Sequence, residues 1–286
     1  SNFRSTKSIS EYLKNNEIKL DVLIVGAGFG GMYMLHKLRE LGLEALIVEA
    51  GDGVGGTWYW NRYPGARCDV ESIEYSYSFS EELQQEWSWS SRYSTQDEIL
   101  KYANHVADRF DLRKDIKFNQ RVISSVFKED LNKWNISTSS GDNYLAQYCI
   151  MATGTLSSVK EISFNGLDSY KGDWYVTGNW PHQKIDFTGK KVGIIGTGSS
   201  AVQAIPVIAE DSEHLTVFQR TANYSIPAKN KKLTNQEVKK VKSNSIYIKT
   251  GKIPFIKYIS AKNLNKKRNT KIPKKKWVKD FSKIVL

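Results

Sequence analysis

Three glycines near the start of the chain have the spacing of a site that binds the pyrophosphate of a dinucleotide. Gly26, Gly28 and Gly31 form a G-x-G-x-x-G pattern. The first glycine permits a tight turn, the second lets a pyrophosphate approach the backbone, and the third lets a helix pack closely on a strand. Glu49 follows 18 residues after Gly31, where an acidic side chain typically binds a ribose hydroxyl pair. The combination predicts a dinucleotide site rather than a chance glycine turn.

A second glycine pattern, which ends in alanine, indicates a second nucleotide. Gly196, Gly198 and Ala201 form G-x-G-x-x-A. Ser199 and Ser200 stand where a helix would begin, so their hydroxyl groups can donate hydrogen bonds to a pyrophosphate. Two such patterns in one chain predict two nucleotide sites.

The residues after the next apolar segment indicate which nicotinamide nucleotide the second site takes. Residues 215–218 are followed by Gln219, Arg220 and Thr221 rather than by an acid. A cation at this place can bind the 2′-phosphate that distinguishes NADPH from NADH. The sequence favours NADPH, the alternative being a surface arginine without a ligand.

Two further groups of residues can do chemistry. Arg67 and Asp69 alternate with Cys68 and Val70, so the two charged side chains can share one face of an extended segment; a solvated loop is the alternative. Before them, Gly56 and Thr57 are followed by three aromatic residues, Trp58, Tyr59 and Trp60. Such rings can wall a flat ligand such as an isoalloxazine, or they can belong to the core.

The segments that carry these residues alternate between strand and helix patterns. Apolar runs at 22–25 and 45–48 predict buried strands, and a helical pattern over about 32–41 lies between them. Strand, glycine turn and helix follow again over 191–201. This order is typical of dinucleotide-binding α/β domains.

The region between the two glycine patterns predicts an insertion. Thr95 and Glu98 have the spacing of a capping box that opens a helix to about residue 110. Over 116–150 apolar and polar residues alternate, which predicts antiparallel strands. They precede another strand at 149–154 that ends in Ala-Thr-Gly.

Composition limits the kind of protein and its compartment. With 286 residues and 40% hydrophobic residues, about two domains are expected. No apolar run approaches the length of a membrane-spanning helix, and the first 20 residues lack the apolar region of a signal peptide. Cys68 and Cys149 fit a reducing compartment without a disulfide framework. We therefore expect a cytoplasmic protein without membrane insertion.

The net charge of +12 is concentrated at one end of the chain. Residues 230–286 carry 17 Lys and one Arg against Glu237 and Asp280, a net charge of +16, whereas the preceding residues sum to −4. The larger part of the chain is therefore not expected to bind nucleic acid. We predict that the basic segment is helical and solvated, the alternative being a contact with a membrane or nucleic acid.

The sequence resembles the flavin domain of Baeyer–Villiger monooxygenases, especially the phenylacetone and cyclohexanone monooxygenase type. The resemblance extends from about residue 20 to residue 229 and rests on 26–31, 55–69 and 71–77. It implies FAD, NADPH and O₂ as reactants, with a ketone converted to an ester or lactone through a C4a-peroxyflavin. The small-molecule ketone is the expected partner, and no metal is expected.

The resemblance also implies a role for individual residues. Asp69 resembles the carboxylate that positions and tunes an active-site arginine, and Arg67 is close enough in sequence to reach the nicotinamide. Residues expected to contact FAD are Gly26, Gly28, Phe29, Gly30, Gly31, Glu49, Gly56, Thr57, Trp58, Tyr59, Trp60, Asp69, Tyr75 and Val122. Those expected to contact NADPH are Gly196, Thr197, Gly198, Ser199, Ser200, Ala201, Gln219, Arg220 and Thr221.

Together these observations predict an α/β fold with two Rossmann-like dinucleotide-binding domains. The FAD domain carries the antiparallel insertion, and a basic helical segment follows the NADP domain. The predicted parts are an FAD domain at 1–155, a linker at 156–190, an NADP domain at 191–229 and the basic segment at 230–286.

Two departures from the family leave other functions open. The family fingerprint F-x-G-x-x-x-H-x-x-x-W-P is matched by Gly172, Trp180 and Pro181, with Tyr170 as a mild replacement of its phenylalanine, but Val176 replaces its histidine. Valine can neither hydrogen-bond nor titrate, which favours an FAD-dependent NADPH oxidase or an N-hydroxylating monooxygenase as the alternative. The resembled enzymes also continue well beyond this length, so a fragment, a short homologue or a non-catalytic binding remnant is a further alternative.

Overall fold

The computed structural model describes residues 17–159 and 161–243 and the strand at 283–285. They form two compact units. Of the described residues, unit 1 takes 17–61 and Ile99–Val159, and unit 2 takes Arg62–Glu98, 161–243 and 283–285. The division differs from the predicted domains, because residues 62–98 were expected within the FAD domain.

Ten strands and six α-helices are described. The strands are β1 (Glu17–Val25), β2 (Ala45–Val48), β3 (Ile116–Lys117), β4 (Val122–Lys128), β5 (Lys133–Thr138), β6 (Asn143–Met151), β7 (Asp173–Tyr175), β8 (Lys191–Ile195), β9 (His214–Phe218) and β10 (Lys283–Val285). The helices are α1 (Phe29–Glu40), α2 (Thr57–Trp60), α3 (Glu81–Glu86), α4 (Gln96–Arg109), α5 (Ser199–Asp211) and α6 (Asn235–Lys242).

Unit 1 is built on a six-stranded sheet in the order β3-β2-β1-β6-β5-β4. Strands β2 and β6 pair with β1 in parallel, whereas β5 pairs antiparallel with both β4 and β6. The antiparallel insertion is therefore confirmed. The sequence predicted separate strands around 144 and 149, but β6 is one continuous strand of nine residues. It is continuous because its first half pairs with β1 and β5 at the same time.

The core of unit 1 lies on both faces of this sheet, because successive side chains of a strand point to opposite sides. Val22 and Ile24 of β1 are buried in a cluster with residues of α1 and α4. Leu23 points the other way and packs with Ile136 and Tyr144 of the antiparallel strands. The apolar run of β1 is thus explained by burial on both sides.

Unit 2 contains a four-stranded parallel sheet in the order β7-β10-β8-β9. Helix α5 follows β8, and Ala204 and Ile208 of α5 are buried with Val192 and Ile194 of β8. Trp180, from the family fingerprint, belongs to the same cluster. The predicted strand–glycine–helix order from residue 191 is therefore present.

The basic segment is described only in part. Helix α6 agrees with the helical prediction, whereas β10 does not, since it pairs as a strand between β7 and β8. The rest of the predicted helical segment lies outside the described residues. Within the described ranges, no helix is both long and apolar enough to cross a membrane. The same ranges contain no group of three or more His, Cys, Asp or Glu residues placed to hold a metal ion.

A capping box begins helix α6 and makes it sensitive to acid. The Thr234 hydroxyl accepts from the Glu237 amide at 3.2 Å, and the Glu237 carboxylate accepts from the Thr234 amide at 2.9 Å. The carboxylate also pairs with the Lys231 ammonium. These contacts, that with Lys231 first, lower the pKa of Glu237 from 4.5 to about 2.

We expect α6 to lose this stabilisation in acid. Because the folded pKa of Glu237 is below its ordinary value, the contribution is present above pH 4.5 and is lost as the pH falls through about 2. A carboxyl-carbon NMR titration should give a midpoint near 2 for Glu237. Lys231→Ala should raise this midpoint, and an unchanged midpoint in the variant would contradict the assigned cause.

Candidate functional site

The first glycine motif lies in unit 1, in the turn between β1 and α1. Gly26 has φ +105°, and a Cβ atom there would lie 2.7 Å from the Ala152 carbonyl oxygen. A Cβ atom on Gly31 would lie 1.9 Å from the Gly26 carbonyl oxygen. The turn and the close packing of helix on strand therefore both require glycine.

The N-terminus of α1 is arranged to receive an anion. Gly28 is the N-cap residue, no side chain caps the helix, and its first turn contains no acidic residue. The first amides of such a helix lack intrahelical acceptors, and the helix dipole adds positive potential. Gly56 approaches so closely that a Cβ atom on it would lie 2.8 Å from the Gly28 Cα. Gly30 is exposed, with open space where a Cβ would stand.

Glu49 is a buried carboxylate that braces the glycine loops of unit 1. Its Oε2 accepts from the Ala27 amide at 2.7 Å, and its Oε1 accepts from the Gly51 amide at 2.8 Å. Only 5% of the residue is exposed. A carboxylate can accept about four hydrogen bonds, so two remain for a ribose. Its role toward a ligand stays a prediction.

The aromatic residues of α2 divide into core and partly exposed groups. Trp58 and Tyr59 are buried. The Tyr59 ring covers Gly51, where a Cβ atom would lie 2.6 Å from Tyr59 Cε1, and its hydroxyl donates to Asp52 at 2.5 Å. Tyr59 thus shapes its own loop, and its contact with a flavin stays a prediction. Trp60 packs edge-on against Tyr59 with 4.8 Å between ring centres and, with Thr57, stays partly exposed.

The other candidates in unit 1 serve the packing of the fold. The Phe29 ring lies 6.1 Å from that of Tyr102. Val122 pairs with Thr138 and packs on the cluster that includes Leu23. Contacts of Phe29 and Val122 with a cofactor stay predictions.

The second glycine motif, in unit 2, repeats the backbone of the first. The two N-cap glycines have almost the same dihedral angles, with φ −77° and ψ −174° at Gly28 and φ −75° and ψ −176° at Gly198. Gly196 has φ +109°, close to the +105° of Gly26. The space where a Cβ would stand on Gly196 or Gly198 is open, and no side chain caps α5.

Thr197 has its hydroxyl oriented by two amide groups. Its Oγ1 accepts from Gln219 Nε2 at 2.9 Å and from Asn223 Nδ2 at 3.0 Å. Asn223 Nδ2 also donates to the Thr197 carbonyl at 2.8 Å, which fixes the orientation of the amide. With both lone pairs occupied, the Thr197 hydroxyl is left to donate. Asn223 was missed because nothing in the sequence distinguishes it from other loop residues.

The remaining residues at the second motif differ in exposure. Arg220 and Thr221 are exposed directly after the end of β9, and Ser199 is exposed at the start of α5. Ala201 is half-buried against the core of unit 2. The Ser200 hydroxyl, which was predicted to donate to a pyrophosphate, forms a hydrogen bond with the Tyr63 side chain. The sequence alone does not reveal this interaction.

Arg67 and Asp69 belong to unit 2, in a loop that is held by a backbone hydrogen bond of the residue between them. Between them Cys68 is buried, its amide donates to the Ser94 carbonyl at 3.0 Å, and burial raises the pKa of its thiol. Asp69 is exposed and Arg67 is half-buried. Tyr75 follows as a half-buried residue in a turn whose amide donates to the Glu71 carbonyl at 2.9 Å. The predicted FAD residues are therefore divided between the two units.

The comparisons with known proteins agree with this arrangement. The family model of pyridine nucleotide-disulphide oxidoreductases matches residues 23–283. An acetone monooxygenase (methyl acetate-forming) of Gordonia sp. (strain TY-5) is 46% identical over 78% of the chain and 42% of its own length. A Baeyer-Villiger monooxygenase of Pseudooceanicola batsensis is 44% identical over 82% of the chain and 43% of its own length.

Two further proteins bear on the substrate and the nucleotide. A phenazine N-monooxygenase of Lysobacter antibioticus is 43% identical over 81% of the chain and 43% of its own length. A solved structure, "Oxidized steroid monooxygenase bound to NADP", is 56% identical with a TM-score of 0.77 and covers 79% of this chain and 43% of its own. The chain thus spans about two fifths of the length of the relatives that it matches.

Proposed function

The chain belongs to the pyridine nucleotide-disulphide oxidoreductase family and is homologous to Baeyer–Villiger monooxygenases, and from this we propose that it binds FAD and NADPH for a monooxygenase reaction. In that reaction one oxygen atom of O₂ is inserted next to the carbonyl of a ketone, which gives an ester or lactone. The observation that carries the proposal is the pair of glycine motifs with nearly identical N-cap geometry, one in each unit.

The residues of unit 1 fit FAD. The uncapped N-terminus of α1, without acidic residues in its first turn, is suited to a pyrophosphate. The close approach of Gly28 and Gly56 leaves bare backbone beside it. Glu49, held by two backbone amides, would accept from the ribose hydroxyls. Trp60 and Thr57 would line the flavin side of the site.

The residues of unit 2 fit NADPH. The N-terminus of α5 begins at an uncapped glycine beside open space. The Thr197 hydroxyl, oriented by Gln219 and Asn223, would donate to a phosphate oxygen. The exposed Arg220 guanidinium would bind the 2′-phosphate. Gln219 is hydrogen-bonded to Thr197, so the recognition of the 2′-phosphate is assigned to the cationic Arg220.

FAD, when bound, supplies the oxygen and redox chemistry, and NADPH supplies the hydride. The contribution of this chain is to hold the two nucleotides and to orient charged groups. Asp69, exposed next to the buried Cys68, is proposed to position a cationic group, and Arg67 is proposed to act on the nicotinamide side. The ketone is the proposed small-molecule substrate.

The proposal predicts a yellow protein that NADPH reduces. The purified chain, mixed with FAD and freed of excess, should keep a flavin absorbance spectrum. Without oxygen this absorbance should bleach much faster with NADPH than with NADH. On admission of air and a ketone, gas chromatography should detect the ester or lactone. A colourless chain that takes up no FAD would contradict the proposal.

A second candidate is oxygenation at nitrogen. It is favoured by the relative named phenazine N-monooxygenase and by Val176, which stands where the family fingerprint has histidine. The same assay with an aromatic N-heterocycle in place of the ketone distinguishes the two. An N-oxide without any ester would favour this second candidate.

A further inference from the structure

Gln203, on the second turn of α5, makes three hydrogen bonds to a single short loop. Its Nε2 donates to the Arg67 carbonyl at 3.0 Å. Its Oε1 accepts from the Tyr63 hydroxyl at 2.8 Å and from the Arg67 amide at 3.2 Å. The side chain thus closes a two-point contact with the backbone of Arg67. The carboxamide suits this contact because it carries a donor and an acceptor side by side on one uncharged group.

The loop of residues 63–67 packs on the same turn of α5. Gly65 has φ +77°, and a Cβ atom there would lie 2.3 Å from the Gln203 carbonyl oxygen and 3.0 Å from Val207 Cγ2. The loop can therefore approach the helix only with glycine at this position. Tyr63 packs on the core of unit 2 beside it.

The hydroxyl of Tyr63 links this contact to the second glycine motif. It donates to Gln203 and bonds with the side chain of Ser200, a residue in the first turn of α5. Burial is the main reason that the pKa of Tyr63 is raised, with the charge of Asp69 acting in the same direction. Ser200, Tyr63, Gln203 and Arg67 thus form one connected group in unit 2.

We propose that Gln203 is a positioning residue that fixes Arg67 relative to the helix at whose N-terminus the nicotinamide nucleotide binds. This inference rests on the proposed function, because it assigns to Arg67 a role on the nicotinamide side. Gln203 acts through the backbone of Arg67, with which it makes two hydrogen bonds. The nucleotide helix and the Arg67 loop then move as one body.

The test uses Gln203→Ala in the full chain, with Val202→Ala as the matched control. Val202 is the preceding residue of α5 and is 45% exposed. We expect the rate of flavin reduction by NADPH to fall about tenfold in Q203A, while the Kd of NADP⁺ and the FAD content change less than twofold. V202A should match the wild type in all three. Unchanged reduction by Q203A would overturn the positioning role.

Amide hydrogen exchange tests the contact without any activity. The Arg67 amide, bonded to Gln203 in the wild type, should exchange at least about tenfold faster in Q203A and unchanged in V202A. Tyr63→Phe should leave it protected, since the backbone bonds remain. An Arg67 amide that exchanges equally fast in wild type and Q203A would overturn the inference. A wild-type chain that binds no NADP⁺ would overturn the proposed function, whereas the exchange result would still decide whether the Gln203 contact exists.

Discussion

Replacing Gly31 with alanine is expected to abolish retention of FAD and to lower the stability of the fold, whereas the same change at the neighbouring Gly30 is expected to leave the stability intact. A Cβ atom on Gly31 would lie 1.9 Å from the Gly26 carbonyl oxygen, which is backbone and cannot rotate away. Helix α1 must shift from β1 to accommodate it, and the N-terminal amides that face the pyrophosphate shift with it. At Gly30 the corresponding space is open.

The two variants should also differ in stability. Overpacking costs about 1–3 kcal/mol and sometimes more, so we expect Gly31→Ala to lower the Tm by roughly 2–12 °C, given roughly 2–4 °C per kcal/mol at this size. Gly30→Ala should raise it slightly, because alanine favours a helix over glycine by about 1 kcal/mol. Differential scanning fluorimetry and the flavin absorbance of the purified proteins measure both effects. Wild-type FAD retention and Tm in Gly31→Ala would refute the assigned role of Gly31.

The second large effect is expected at Arg220. Replacing it with alanine should raise the Kd for NADPH about 10- to 100-fold and leave that for NADH within twofold. The reason is the loss of charge-assisted hydrogen bonds to the 2′-phosphate, worth about 1.5–3 kcal/mol, since each 1.4 kcal/mol is tenfold in affinity. NADH lacks this phosphate. Isothermal titration with both nucleotides measures the ratio.

Lys190→Ala is the matched control for Arg220. It removes the same charge from an exposed residue of unit 2, but at the start of β8 rather than after the end of β9. We expect its nucleotide affinities to equal those of the wild type. Equal weakening of NADPH and NADH by Arg220→Ala would show that the arginine supports the loop and does not read the phosphate.

The glycine motifs were predictable from the sequence because local geometry determines them. Gly26 and Gly196 both have φ above +100°, which a side chain rarely tolerates, and each follows an apolar strand. The continuous β6 was not predictable in the same way. In the sequence its two halves look like separate segments. What joins them into one strand is the pairing with β1, in which residues 143–146 lie beside residues 17–20, far away in sequence.

The candidate site was predictable where motifs carry it and not where contacts do. Gln203 and Asn223 are ordinary polar residues in the sequence, and only the fold brings them to Arg67 and Thr197. The helix predicted from Thr95 and Glu98 is confirmed by α4, whereas its capping box stays a prediction. The Glu98 carboxylate also accepts from the Ser90 amide at 2.7 Å, a partner that helix signals cannot reveal.

The position of β6 between β1 and β5 has a consequence for the order in which the chain folds. Strand β1 can pair with β2 once residue 48 has emerged from the ribosome, but its other edge must wait for residues 143–151. During that interval an apolar parallel strand stands with one row of backbone groups unpaired, which is a template for aggregation. Because such non-local pairing is slow, we expect the nascent chain to be most prone to aggregation before β6 has emerged from the ribosome.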